Sequence, residues 1–347
     1  MIDSREKASS AIKISVVATV RNERSSIADF VETLLSQTVT PAEIIIVDGE
    51  SSDGTQEILQ AYANASKITL ISQNCNIALG RNLGIAKASS PFIAVTDAGC
   101  RVEPDWLAHI THCFADPDGP DVVAGNFKFE SHSEFEQAVV LATFSPNREN
   151  SEVARYFPSS RSAAFTKAAW QRAQGYPEWL YAAEDTLFNI RLRQLGCKFV
   201  FCPDAIVRWR PRENWKALAK QRFNFSRGNS RVGIGTLGYL TSIQYHLAIL
   251  LPLALAPFWW PLALLSPLAL LHHVRRHLWE QASYAAHVTG KPAMRWRVLL
   301  VMEFVRVVGM IGFIAGRWDR IADSSLVERQ QAWMGVKSVD SLPPFQD

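Results

Sequence analysis

The stretch IIIVDGESSDGT (Ile44–Thr55) decides how the N-terminal half of this chain reads. Glu43–Val47 is a short apolar, β-branched run, the pattern of a strand buried on both faces. Asp48 closes that strand, Asp53-Gly54 is turn chemistry, and Thr55–Ala63 reads as a helix capped by Asp53. The same unit recurs on either side. Upstream, ISVVAT (Ile14–Thr19) is a buried strand. It leads into a helix over Ser26–Leu35, with Ile27, Phe30, Val31, Leu34 and Leu35 on one face and Ser25 or Ser26 as cap. Downstream come a strand at Ile68–Ser72, a helix at Leu79–Ala88 and a fourth strand, FIAVT (Phe92–Thr96). Four alternations of strand and helix predict an α/β fold on a doubly wound, mostly parallel sheet, where ligands sit outside the carboxyl ends of the strands.

The order loosens after Pro104. A helix at Trp106–Phe114 and a strand at Val122–Phe129 are legible, residues 137–155 are ambiguous, and a clear helix over Asp185–Leu195 stops at Gly196. Lys198–Cys202 gives another strand. No internal repeat or low-complexity tract is present.

Composition narrows the function classes. The chain has 347 residues, 48% hydrophobic and 20% charged, which fits a globular protein and excludes general disorder. A net charge of +3 is too small to argue for nucleic acid. The charge is unevenly spread, however. Ala205–Arg231 carries eight Arg or Lys and one acid, Glu213, and Val232–Leu271 is forty residues without Asp, Glu, Lys or Arg. A basic run beside an apolar one suits an anionic membrane surface or a phosphate ligand. The five cysteines (Cys75, Cys100, Cys113, Cys197, Cys202) form no C-x-x-C and read as free thiols in a reducing compartment. The start, MIDSREKASSAIK, has no apolar leader, so the N-terminal domain is expected on the cytoplasmic side.

Acids recur at strand ends, where chemistry would be placed. Asp48 could accept hydrogen bonds from a ribose or base, although a turn aspartate looks the same in sequence. Asp97, ending FIAVTDAGC beside Ala98 and Gly99, leaves room for a diphosphate and for Mg²⁺ or Mn²⁺, which commonly takes one or two protein carboxylates. Glu184-Asp185 opens the helix TLFNIRLRQLG and reads either as first-turn acids or as a general base toward an acceptor hydroxyl. A diphosphate leaving group also needs cations, for which Arg81, Arg222 and Arg227 are candidates. His109, His112 and Cys113 lie on a helix with strong core periodicity and lack further ligands, so they read as core and not as a metal centre.

Five segments in register now carry a resemblance: SVVATVRNE (15–23), IIVDGESSDGT (45–55), ALGRNLGI (78–85), TDAGC (96–100) and GYPEWL…EDTLF…RL…G (175–196). Across about residues 13–230 the chain resembles glycosyltransferase family 2, most of all its membrane-associated exopolysaccharide-type subgroup. The resemblance implies a GT-A fold and inverting transfer from a nucleotide-diphosphate sugar. It puts Thr19, Arg21, Asn22, Glu23, Asp48 and Arg81 at the donor, Asp97 at the metal or diphosphate, and Asp185 with Glu184 at the base. KQRFNFSRG (220–228) is similar to the basic stretch that closes over the diphosphate in membrane-bound members, implicating Arg222 and Arg227. Two departures stand out. The usual D-x-D is Asp97-Ala98-Gly99, without its second carboxylate, which leaves metal dependence open. The usual V-D-D-G-S is V-D-G-E-S, with Gly49 at the second Asp and Glu50 as a possible substitute.

As helix, the forty uncharged residues would run about 60 Å, roughly twice a hydrocarbon core. Pro257-Phe258-Trp259-Trp260-Pro261 near the middle suits a turn at the far interface, and arginines flank both ends. A hairpin with both ends in the cytoplasm is expected, with a buried helical subdomain as the alternative. Val298–Gly316 is apolar but holds Glu303 and Arg306, so it reads as an interfacial helix or a third span, with a polar tail after Trp318.

The expected organisation is a catalytic domain over 1–231, a transmembrane hairpin over 232–275, and a third helix with tail over 276–347. The expected activity is sugar transfer from a UDP-, GDP- or dTDP-sugar to a hydroxyl of a lipid-linked or polysaccharide acceptor. The expected place is the cytoplasmic face of the inner membrane. A non-catalytic membrane scaffold retaining the fold is the competing reading. A sugar nucleotidyltransferase would need a glycine-rich loop after the first strand, and ATVRNERS (18–25) has none.

Overall fold

The computed structural model describes residues 12–116, 118–144 and 158–335. Contacts divide the chain into two compact units, one of residues 1–130 and 151–210, the other of residues 131–150 and 211–347.

The first unit is built on an eight-stranded sheet in the order β3-β2-β1-β4-β7-β6-β8-β5. Its strands are β1 (Ile14–Val20), β2 (Glu43–Asp48), β3 (Thr69–Ser72), β4 (Phe92–Asp97), β5 (Cys100–Val102), β6 (Val122–Phe129), β7 (Ala163–Thr166) and β8 (Phe199–Trp209). Strands β1 to β4 are mutually parallel where they pair. Val16, Val17, Ile45, Ile46 and Val95 are fully buried, as expected where helices cover both faces. The helices between them are α1 (Ile27–Leu35), α2 (Thr55–Asn64) and α3 (Ile77–Lys87). Helix α1 buries Ile27, Phe30, Val31 and Leu34, the apolar face read from the sequence. Helix α3 lies unusually close to the sheet. A Cβ at Gly84 would stand 2.5 Å from Val17 Cγ1, so only glycine permits that approach.

Past β4 the sheet becomes mixed. The short β7 runs antiparallel between β4 and β6, and β5 pairs antiparallel with β8. Neither was legible in sequence. The strand expected at Lys198–Cys202 instead continues to Trp209, through a register irregularity opposite Ala124–Asn126 that accommodates Pro203. Helices α4 (Trp106–Cys113), α5 (Glu134–Thr143), α6 (Lys167–Arg172) and α7 (Glu184–Gln194) follow in chain order, α5 belonging to the second unit. Trp106 is fully buried, and its indole donates to Ser162 Oγ at 2.9 Å. All five cysteines are free. Of the ambiguous residues 137–155, those up to Thr143 close α5, and 145–155 lie outside the described residues, as do 1–11 and 336–347.

The second unit is helical: α5, α8 (Trp215–Arg231), α9 (Thr236–Leu255), a 3-10 turn (Trp260–Leu264), α10 (Leu265–His277), α11 (Trp279–Thr289), α12 (Pro292–Ala322) and α13 (Ser325–Met334). Its core includes Val139, Leu218, Leu278, Ala282, Met294 and Val298. Helix α12 presses on α8 at Gly316, where a Cβ would meet the Arg227 carbonyl at 2.4 Å. Residues 211–231 therefore group with the C-terminal helices, although the sequence placed them in the catalytic domain. Past Trp318 the chain stays helical, and α13 buries Leu326, Gln330 and Met334.

Helices α9 and α10 form an antiparallel hairpin. Ser266 Oγ donates to the Ile249 carbonyl at 2.7 Å, and Tyr245 stacks near His273 and His277. The reversal falls at Ala256–Trp259, as the proline-flanked aromatics suggested. Two helices, Thr236–Leu255 and Pro292–Ala322, are long and apolar enough to cross a membrane. No residue of α9 is buried, and Phe258 at its far end is 88% exposed.

Candidate active site

The register of the parallel strands sets the frame. Val20 pairs with Asp48, and Thr19 pairs with Asp97, so the two aspartates flank the tip of β1 at the carboxyl edge of the sheet. Across two strand spacings their backbones stand about 10 Å apart, enough for a nucleoside diphosphate to lie between.

Arg81 organises one side of this edge. It projects from α3, is fully buried, and donates Nη2 to Asp97 Oδ1 at 2.8 Å and Nη1 to Glu184 Oε1 at 2.7 Å. Burial alone would lower its pKa, but the Asp97 and Glu184 carboxylates outweigh that and hold the guanidinium firmly charged. Burial, with Asp185 adjacent, pushes the Glu184 carboxyl up against the pull of Arg81. Three carboxylates (Asp97, Glu184, Asp185) face one cation, leaving an excess of negative charge that a metal ion could balance. Asp97 spends one oxygen on Arg81, and its other oxygen has no protein partner among the described residues. A Cβ at Gly99 would meet nothing within 4 Å, so there is open space at the turn two residues past Asp97. This carboxylate fits a divalent cation.

Asp185 sits in the first turn of α7, half-buried. Its Oδ1 accepts from Thr186 N at 2.7 Å, and its Oδ2 has no partner among the described residues. The helix start is held in a strained form, since Ala183 before it has φ +66°. The preceding loop is anchored by Asn82, the neighbour of Arg81. Asn82 Nδ2 donates to the Tyr176 carbonyl and to Glu178 Oε1, each at 2.9 Å, while its Oδ1 accepts from Tyr176 N at 2.8 Å and Trp170 Nε1 at 3.0 Å. Tyr176 stacks on Phe188 of α7 at 4.2 Å and lies under the Arg81 guanidinium at 5.3 Å. Thus α3 fixes both Asp97 and the loop that delivers Glu184-Asp185.

The other side of the edge is a pair of tied loops. Asn22 N donates to Ser51 Oγ and Asn22 Oδ1 accepts from Ser52 N, while Glu23 N donates to Thr55 Oγ1 and Arg24 N to Asp53 Oδ2. Asn22 and Glu50 both have positive φ (57° and 56°). Asp48 is fully buried and accepts from Ser51 N and Ser51 Oγ. Glu23 turns its carboxylate to Ser26 Oγ at 2.8 Å. Arg21 covers Gly49: a Cβ at position 49 would meet Arg21 Cδ at 3.6 Å and the Cys75 carbonyl at 3.2 Å, leaving little space for the aspartate common at that place.

Arg222 and Arg227 belong to α8 in the second unit. Arg227 is bound by Asp319 in a fork, with Nε at 2.7 Å and Nη2 at 2.8 Å, and Arg231 shares the same carboxylate. Of the residues to which the sequence pointed, Arg81, Asp97, Glu184 and Asp185 lie together at this edge. Sequence reasoning assigned no role to Asn82 or Tyr176, although both stand inside the motifs it singled out. A shallow pocket lined by Leu79, Asn82, Leu83, Trp170, Gln174 and Glu178 contains none of Asp48, Asp97, Glu184 and Asp185.

Residues 15–179 match the sequence model described as glycosyl transferase family 2. The O-antigen chain rhamnosyltransferase RfbN of Salmonella typhimurium is 25% identical over 292 residues, covering 74% of this chain and 87% of that protein. The O-antigen chain rhamnosyltransferase WbaN of Salmonella anatum is 27% identical over 257 residues, covering 67% and 78%. The mannosyltransferase PcManGT from Pyrobaculum calidifontis, solved in complex with GDP-Man and Mn²⁺, superposes with a TM-score of 0.55 at 15% identity, over 92% of this chain and 95% of that one. That likeness is one of fold, the mixed sheet and flanking helices of GT-A. With the family match running from β1 through β7, residues 15–179 form a glycosyl transferase family 2 domain, and the chain is a sugar-transferring enzyme.

Proposed function

We propose that this enzyme performs inverting transfer from a nucleotide-diphosphate sugar to a hydroxyl of a lipid-linked or polysaccharide acceptor, at the cytoplasmic face of the inner membrane. The observation that carries this reading is the buried Arg81 bridge, which ties Asp97 at a strand tip to Glu184 beside Asp185. It brings a phosphate-side carboxylate and a candidate base to one edge.

Asp185 Oδ2 takes the proton of the acceptor hydroxyl as that oxygen attacks the anomeric carbon. The bond from that carbon to the diphosphate breaks, and its electron pair leaves with the nucleotide. Glu184 and Asn82 hold the base-bearing segment in place. Asp97 would hold a divalent cation, Mg²⁺ or Mn²⁺, which supplies charge stabilisation to the diphosphate. Asp48 and the tied loops at Thr19–Glu23 are the base and ribose side. The O-antigen relatives support a glycan acceptor, and the GDP-Man and Mn²⁺ of the mannosyltransferase support this donor class and a cation. The exposed apolar helix α9 and helix α12 suit membrane insertion, which would concentrate a lipid-bound acceptor.

The test is Asp185→Asn in the full chain, purified in detergent and offered a panel of UDP-, GDP- and dTDP-sugars. Loss of a general base lowers transfer by about 10²- to 10⁴-fold. The donor-induced rise in melting temperature should persist, because the base does not bind the nucleotide. Wild-type transfer by this variant would end the proposal.

A further inference from the structure

His246 on α9, His273 on α10 and Glu303 on α12 meet at one point in the second unit. His246 Nε2 lies 2.6 Å from Glu303 Oε1, and His273 Nε2 lies 3.0 Å from Glu303 Oε2. One ligand atom from each residue can be chosen so that all three lie within 4.8 Å of one another. Charged residues on apolar helices are expensive to keep, and three of them converging from three helices call for a physical reason.

The tautomer of His246 sharpens the point. Its Nδ1 is 2.7 Å from the Ser242 carbonyl, which can only accept, so Nδ1 carries the proton. In the neutral ring Nε2 then presents a lone pair to a carboxylate oxygen 2.6 Å away. Two lone pairs at that distance repel, so the contact needs either a shared proton or a metal cation between them. A backbone carbonyl that fixes the far nitrogen of a ligating imidazole is the usual outer support of a metal-bound histidine. His273 is fully buried, with Nδ1 unpartnered among the described residues, so nothing pins its proton away from the metal-facing role. Glu303 is 35% exposed, which leaves a route for an ion. Arg306, one turn on, donates to the His277 carbonyl.

We propose that His246, His273 and Glu303 form a Zn²⁺ site that fastens the α9–α10 hairpin to α12. Two imidazoles and one carboxylate are a recurrent zinc donor set that leaves a fourth position for water. Bonds of about 2.0–2.2 Å in a tetrahedron separate ligand atoms by about 3.3–3.6 Å, so the 2.6 Å and 3.0 Å contacts would open by up to about 1 Å as the ion enters. Zinc also coordinates the half-buried Glu303 carboxylate and satisfies the lone pair of His246. The site shares no residue with the proposed catalytic edge and does not rest on that reading.

The experiment uses the full chain without a polyhistidine tag, in detergent, loaded with Zn²⁺ and desalted before elemental analysis. The expected result is one zinc per chain, removed by EDTA with a fall in melting temperature that added Zn²⁺ reverses. Glu303→Gln and His246→Asn should retain less than a tenth of that zinc. Wild type loaded with Co²⁺ should show the d–d absorption of a low-coordinate site, a readout that needs no variant to fold. No retained zinc together with no Co²⁺ absorption in folded wild type overturns the proposal and leaves a proton-bridged His–Glu pair. Equal zinc in folded Glu303→Gln overturns it as well.

Discussion

Replacing Arg81 with methionine removes the one cation between two carboxylates while roughly conserving side-chain volume. Glu184 is 8% exposed, so without Arg81 its carboxylate is either left uncompensated or driven to take up a proton, and both cost stability. Asp97 is 29% exposed and can recover some solvation, so its arm contributes less. Breaking a buried ion pair by removing one partner costs about 3–5 kcal/mol. The first unit spans 130 + 60 residues, and at this size each kcal/mol lowers the melting temperature by about 2–4 °C. Arg81→Met should therefore melt about 6–20 °C below wild type. Adding Asp97→Asn and Glu184→Gln should recover most of that loss, because no buried charge then lacks a partner. Arg81→Lys should fall between, since a single ammonium cannot reproduce the two-armed fork. Tryptophan fluorescence during thermal and urea unfolding measures all three, with Trp106 and Trp170 reporting on this unit. A loss under about 1 kcal/mol for Arg81→Met, the worth of a surface pair, would refute the reasoning. So would a triple variant no more stable than the single one.

Further outcomes follow from the same geometry. Gly84→Ala places a methyl 2.5 Å from the fully buried Val17, and about 3 kcal/mol of overpacking exceeds the roughly 1 kcal/mol gained in helix propensity. A net loss near 2 kcal/mol in urea melts is expected, and a stabilised variant would contradict the close approach of α3. Ala183→Gly relieves a left-handed residue that costs about 1–2 kcal/mol, offset in part by the entropy of glycine, so melting should rise or stay level. A clear drop would show that the side chain is needed there. Glu43 accepts from Ser15 Oγ, Ser89 N and Ser89 Oγ. Burial pulls its carboxyl upward, but these hydrogen bonds prevail and hold it below its ordinary 4.5. A lowered folded pKa means the stabilisation is complete above that ordinary value and is lost as pH falls through the folded one. Glu43→Gln should thus show a flatter stability-versus-pH curve below about pH 4.5 than wild type. Parallel curves would remove Glu43 from the account.

Strands β1, β2 and β4 were legible to within a residue because unbroken apolar β-branched runs have few alternatives. The same holds for α1, whose five apolar positions define one stripe. AAFT at 163–166 is too short and too small to signal a strand. It becomes β7 only because β4 and β6 offer edges on both sides. Lys198–Cys202 was cut short at Pro203, a sound local stop that the irregular pairing with β6 overrides. At the site, Asp97 and Glu184-Asp185 stood out as acids at a strand end and a helix start, and Arg81 as a candidate cation for a diphosphate. Their joining through one guanidinium did not, since residues 81, 97 and 184 carry no local pattern that links them. Nor did the four hydrogen bonds of Asn82 or the positive φ of Ala183, both of which depend on the assembled loop. The basic run at 205–231 read as one feature, yet Arg227 and Arg231 are tied to Asp319, 92 and 88 residues away.

Arg81 and Asn82 are successive residues of one helix, the first gripping the carboxylates and the second gripping the 175–183 segment. On the proposed reading, donor side and acceptor side share a single lever. A chimera that imports residues 175–183 from a relative to change acceptor choice should also import residues 76–84. Otherwise the grafted segment arrives without its anchor, and the carboxylates beside it lose their alignment.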